Sequence, residues 1–131
     1  MKLVICEKPS VAKAVASALG VTSRADGCFE GNGLIVSWCV GHLVSPMDAA
    51  GYDPGYKKWK YDDLPILPEP FRYVLAKDKE DAFQNLKRLM ERPDVTELVN
   101  ACDAGREGEL IFRLVYDKAG CTKPFKRLWI S

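Results

Sequence analysis

Three carboxylates in this chain sit where they could hold a divalent cation. Glu7 follows the apolar run KLVIC (2–6), and Asp103 follows ELVNAC (97–102). Glu107 enters the first turn of what reads as the next helix, with Glu109 just beyond it. Lys8 and Arg106 each adjoin one of these acids. Both runs have the short, apolar, β-branched character of strands covered on two faces. In parallel α/β sheets, ligands bind outside the carboxyl ends of the strands. If the two strands are neighbours, all three acids share one sheet edge.

Taken singly, each acid has a plain structural explanation. Asp103 would cap the following helix, and an acid in a first turn gains roughly 0.3–1 kcal/mol from the helix dipole. Taken together they do not fit that explanation. Unit like charges about 4 Å apart repel by about 1 kcal/mol in water and about 4 kcal/mol at an effective dielectric of about 20. Repulsion of that size outweighs a cap, so a counter-charge is needed. A hard cation with oxygen ligands, Mg²⁺ first among them, supplies it.

Phosphate chemistry follows from the same spacing. A helix N-terminus attracts phosphate through its free N–H groups. Acids placed there repel it, unless a divalent ion bridges carboxylate and phosphate oxygens. Gly105 and Gly108 allow a tight turn and close approach by a backbone, and Arg106 can reach a phosphate from beside the ion. The residues therefore suggest Mg²⁺-assisted chemistry on a phosphate ester.

The elements that must position them can be read in outline. KLVIC is a strand; Pro9 and Ser10 open a helix through VAKAVASAL, with Val11, Ala14, Val15, Ala18 and Leu19 as its stripe and Gly20 as its stop. Gly31-Asn32-Gly33 within CFEGNGLIVSWCVGH (28–42) marks a hairpin. Residues 44–70 mix five prolines with Tyr52, Tyr56, Trp59 and Tyr61, an irregular insertion packed by its own aromatics. FRYVLAK (71–77) is strand-like, and Asp78 caps a helix with Ala82, Phe83, Leu86, Leu89 and Met90 inward. VTELVNAC (95–102) is a strand, and 106–120 a helix with Leu110, Ile111, Leu114 and Val115 inward. KRLWI (126–130) is a last strand. Such alternation predicts a mainly parallel sheet flanked by helices, in one domain over residues 1–131.

Composition narrows the class. At 131 residues the chain can bury a core, and its formal net charge of +1 leaves any anion-binding surface local. No apolar stretch reaches the roughly 20 residues of a membrane span. Five cysteines without a CxxC, several within apolar runs, read as reduced buried thiols in a cytoplasmic protein. His42 is the only histidine, which disfavours a Cys/His zinc site.

VICEKPSVAKAVASALG (4–20) followed by ACDAGREGELIF (101–112) resembles the Toprim domain of type IA DNA topoisomerases, the topoisomerase III branch most closely. EKPS (7–10), GHL (41–43), KKWKYDDLPILPEPF (57–71) and DAGREGE (103–109) occur in the family's order and cover essentially the whole chain. The resemblance implies a Rossmann-like Toprim fold and Mg²⁺-dependent cleavage and rejoining of single-stranded DNA. It casts Glu7 as general acid/base beside the scissile phosphate and as a metal ligand. Asp103 and Glu107 become metal ligands, and Lys8, Lys13 and Arg106 become phosphate contacts. His42 would border the site without ligating metal. Lys57, Lys58 and Lys60 around Trp59 suit either base stacking or, the favoured reading, packing of the aromatic onto the protein.

One departure stands out. The family motif usually reads DxDxE, and Gly105 occupies the place of the second aspartate, which argues against two tightly held ions. The family's nucleophile is a tyrosine in a separate domain, and Tyr52, Tyr56, Tyr61, Tyr73 and Tyr116 do not match its motif. The expectation is an N-terminal fragment of a longer enzyme, inactive alone, whose partners are single-stranded DNA and the remaining domains. Two alternatives use the same acids: a Toprim domain of a primase or nuclease, and a non-catalytic Mg²⁺-binding α/β regulatory module.

Overall fold

The computed structural model describes residues 1–41, 43–46, 73–75 and 79–129. Along the chain run β1 (Lys2–Cys6), α1 (Pro9–Ala18), β2 (Ser23–Ala25), β3 (Cys28–Gly31), β4 (Leu34–Trp38), β5 (Val44–Pro46) and β6 (Tyr73–Leu75). After these come α2 (Glu80–Met90), β7 (Glu97–Ala101), α3 (Arg106–Lys118) and β8 (Phe125–Arg127). Six strands form one sheet in the order β2-β3-β4-β1-β7-β8, and β5 pairs with β6 antiparallel in a small ladder of its own. β4, β1, β7 and β8 are parallel, whereas β2 and β3 join antiparallel. This is the expected Rossmann-like α/β arrangement.

Alternation along the strands divides the core into two layers. Leu3, Ile5, Ile35 and Leu98 meet Phe83, Leu86, Leu89 and Met90 of α2 and Ile111, Phe112 and Val115 of α3 on one face. Val4, Cys6, Val36 and Ala101 meet Ala12 and Ala16 of α1 on the other. β1 is central and covered on both faces, which is why it reads as continuous apolar sequence rather than an alternating pattern. Asn32 (φ 52°) and Gly33 (φ 76°) both take positive φ between paired residues Gly31 and Leu34, the two-residue turn that matches strand twist.

Several expectations shift in detail. α1 buries Ala12 and Ala16, flanked by half-buried Val11 and Val15, while Ala14, Ala18 and Leu19 face solvent. Small residues lie where the helix comes nearest the sheet, so the inward stripe is rotated from the expected one. In α3, Leu110 is 49% exposed and Phe112 is fully buried. The inward set is therefore Gly108, Ile111, Phe112 and Val115, at i, i+3, i+4 and i+7. The N-cap of α2 is Lys79, and Asp78 lies outside the described residues. β5 begins inside the segment expected to be irregular, and β2 is an added edge strand. The last strand is Phe125–Arg127, with Trp129 61% exposed beyond it. The rest of the insertion, with Lys57, Lys58, Trp59 and Lys60, and His42 lie outside the described residues. Among the described residues no helix is long and apolar enough to cross a membrane.

Candidate metal centre

β1 lies between β4 and β7, with Cys6 level with both Trp38 and Ala101. The residues that follow Cys6 and Ala101 therefore leave the sheet side by side. Glu7 and Asp103, 96 positions apart in sequence (103 minus 7), are neighbours in space. The Glu7 side chain is buried at 8% exposure, and Gly41 of the GHL segment donates its N–H to the Glu7 carbonyl at 3.2 Å. Burial first, then a hydrogen bond to the Asp103 carboxylate and the charge of Asp103, raise the Glu7 pKa above its ordinary value. Glu107 pushes it the same way, and Lys8 opposes them. Glu7, Lys8, Asp103 and Glu107 thus act on one another across two turns.

Asp103 does not cap α3. The N-cap is Gly105, φ 125°, which has no side chain with which to cap the helix. That conformation is open essentially to glycine alone, so an aspartate at 105 would strain this backbone. The missing second aspartate and the shape of the turn are one feature. Gly108 lies against the Asp103 main chain: a Cβ there would sit 1.9 Å from the Asp103 carbonyl oxygen. The glycines of DAGREGE allow the loop to fold back tightly on the helix that follows it.

Glu109, the other acid of the segment, faces elsewhere. It accepts from Asn100 Nδ2 at 3.2 Å and Arg113 Nε at 2.7 Å, and pairs with Arg127 Nε at 3.4 Å. It cannot replace the missing carboxylate. Lys8 is the exposed N-cap residue of α1, Lys13 lies exposed along that helix, and Arg106 opens α3 in solvent.

Beneath the acids lie Cys6, Cys39 and Cys102, all buried. Burial pushes the Cys6 thiol up to about 12, and a hydrogen bond with the free Cys102 thiol, together with burial, raises Cys39 well above its usual range. The Cys6 and Cys39 thiols are thereby held toward the protonated, uncharged form, which makes them poor soft ligands. Among the described residues no three His, Cys, Asp or Glu side chains gather closely enough to hold a metal ion by themselves. What remains is an oxygen pair, Glu7 with Asp103, and Glu107 within its field. Mg²⁺ suits such a set, because it is commonly held by one or two carboxylates and completes its shell with water and phosphate oxygens.

Sequence reasoning missed Asn100 and Arg127. Asn100 is the polar residue inside the apolar run ELVNAC and is completely buried; that incongruity was the available signal. Arg127 carries no comparable mark in KRLWI.

Comparison with known proteins agrees with this fold. Residues 2–131 match the family model described as "Toprim domain". The chain is 47% identical over 130 residues to a DNA topoisomerase 3 of Shouchella clausii, covering 99% of this chain and 18% of that protein. A DNA topoisomerase 3 of Bacillus licheniformis is 46% identical over 129 residues, again spanning 18% of its length. The chain thus spans under a fifth of the relatives it matches. The structure of full-length topoisomerase I from Thermotoga maritima superposes with a TM-score of 0.56 at 21% identity, over 90% of this chain and 16% of that one. With its parallel core, its paired acids at adjoining strand ends and its matched span, the chain belongs to the Toprim domain family.

Proposed function

We propose that this chain is a single Toprim domain, the Mg²⁺-binding N-terminal part of a cytoplasmic DNA topoisomerase of the topoisomerase III type. The observation that carries the reading is the buried Glu7 carboxyl held against Asp103 by neighbouring strand ends, where Asp103 serves no cap. Glu7 and Asp103 are the pair that would hold the ion, with Glu107 adding its charge beside them. Bound there, Mg²⁺ supplies charge neutralisation and polarises a phosphate oxygen.

The chain's own groups do the rest. Lys8 and Arg106, exposed on either side of the acids, hold the phosphates of a single DNA strand, and Lys13 extends that contact along α1. Glu7 keeps a proton beyond the range of an ordinary carboxyl. With Asp103 holding the ion at that step, a protonated Glu7 can give its proton to the leaving sugar oxygen when the strand is cut, and take it back on rejoining. The nucleophile lies elsewhere in the polypeptide. Tyr116, on α3, donates its hydroxyl to the Lys123 carbonyl at 2.8 Å, and residues Glu7 and Asp103 are not its partners.

Two experiments test this. Mg²⁺ titrated against thermal unfolding stabilises the chain by mass action, by about 2.7 kcal/mol at a hundredfold excess over the dissociation constant. Asp103→Asn is expected to lose most of that response; an equal response in both proteins sinks the metal assignment. Supercoiled plasmid incubated with the purified chain and Mg²⁺ is expected to stay supercoiled. Relaxation that persists through repurification would show that no further domain is required.

A further inference from the structure

Arg127, on the strand next to β7, reaches under the loop that carries Asp103. Its Nη2 donates to the Asp103 carbonyl at 2.7 Å. Its Nη1 donates to the Cys102 carbonyl at 3.0 Å and to Asn100 Oδ1 at 2.7 Å. Asn100 Oδ1 also accepts from the Cys102 N–H at 3.1 Å, so Asn100 and Arg127 together grip both polar groups of that residue's main chain. Glu109 supplies the counter-charge from α3, and the indole of Trp129 lies over the guanidinium at 5.1 Å. Nε has no hydrogen-bond partner among the described residues, so the fork is committed to the loop by its two outer nitrogens.

The loop needs such a hold. It contains Gly105 in a conformation of high backbone freedom, it lacks a side-chain cap, and Asp103 itself is exposed. Gly108 restrains the Asp103 carbonyl from one side only. An unpinned loop would let the Asp103 carboxylate swing away from Glu7, the direction in which their repulsion drives it. A lysine could not substitute, because one ammonium cannot span carbonyls of residues 102 and 103 and the Asn100 amide in a planar fork.

We infer that Arg127 is a positioning residue for the metal centre: clamped on the Cys102 and Asp103 carbonyls and backed by Asn100 and Glu109, it aims the Asp103 carboxylate at Glu7. This rests on the metal reading above for its functional consequence, although the pinning of the loop does not. Outer partners of metal ligands commonly set affinity in this way without touching the ion.

The test compares wild type, Arg127→Lys and Lys123→Met by two readouts. Lys123 serves as a structural control, since its Nζ donates to the Arg92 carbonyl at 2.6 Å ahead of β8. Amide ¹⁵N relaxation of the metal-free proteins is expected to show residues 103–105 ordered in wild type and Lys123→Met. In Arg127→Lys their order parameters should fall toward about 0.6 or below while β7 and α3 stay near about 0.85. Mg²⁺ affinity by calorimetry should weaken about 10- to 100-fold in Arg127→Lys alone. An ordered loop in Arg127→Lys, equal loosening in both variants, or a loosened loop with undiminished Mg²⁺ affinity overturns the inference. If wild type takes up no Mg²⁺ yet Arg127→Lys loosens the loop, the metal reading fails and the clamp stands.

Discussion

Gly108→Ala will melt well below wild type and lose most of its response to Mg²⁺. Helix propensity alone predicts the reverse, because alanine in place of glycine stabilises a helix interior by about 1 kcal/mol. Packing decides the sign. The added methyl would stand 1.9 Å from the Asp103 carbonyl oxygen, 2.8 Å from its carbon and 3.0 Å from its nitrogen, all of them main-chain atoms. No rotamer change relieves such contacts, and the loop is held from behind by Arg127. Overpacking of this kind costs about 1–3 kcal/mol or more. We expect a net loss of about 2 kcal/mol, read as a fall in Tm of about 8 °C. The loop that must move is the one bearing Asp103, so metal stabilisation is expected to fall with it. A Tm equal to or above wild type would mean that loop and helix do not approach this closely.

Glu7→Gln will have opposite effects with and without metal. A carboxyl whose folded pKa lies above its unfolded value binds more protons folded than unfolded across that window. Stability contributed by the protonated group is therefore present below the unfolded value and is lost as pH rises through the folded one. Glutamine keeps the shape and a donor to Asp103 but has no proton to lose. Without metal at pH 8 the variant should be the more stable, by about 1 kcal/mol or about 4 °C, the scale of one like-charge contact near water. Below pH 4 the two curves should merge. With saturating Mg²⁺ the order reverses, because the ion relieves the repulsion in wild type and finds one ligand fewer in the variant. Wild-type affinity for Mg²⁺ should also weaken as pH falls through the raised Glu7 pKa, since proton and ion compete for that carboxyl. Parallel melting curves at every pH, with or without metal, would show that Glu7 does not face Asp103.

Much of this arrangement was legible in the residues, for identifiable reasons. The buried strands KLVIC and ELVNAC declared themselves because central parallel strands are apolar throughout, and Asn32-Gly33 because few residues accept positive φ in succession. That Glu7 and Asp103 lie side by side was legible because each follows a central apolar strand. Helix rotation was harder. The expected stripes favoured large apolar residues, whereas α1 presents Ala12 and Ala16 to the sheet, and α3 turns Gly108 inward and Leu110 outward. Both cases arise from close approach, which selects small side chains that carry no hydrophobic signal. Arg127 escaped notice because its role depends on strand order, and that β8 lies beside β7 is not written in any local pattern.

The strand order also sets a timetable. β1 leaves the ribosome well before one of its two neighbours, β7, which begins at Glu97. The long-range pairing of Leu3 with Leu98 and Ile5 with Asn100 can form only after about a hundred residues have been added beyond β1. Until then Glu7 lacks Asp103 as its neighbour. The two acids meet in one late step, with closure of the sheet around β1.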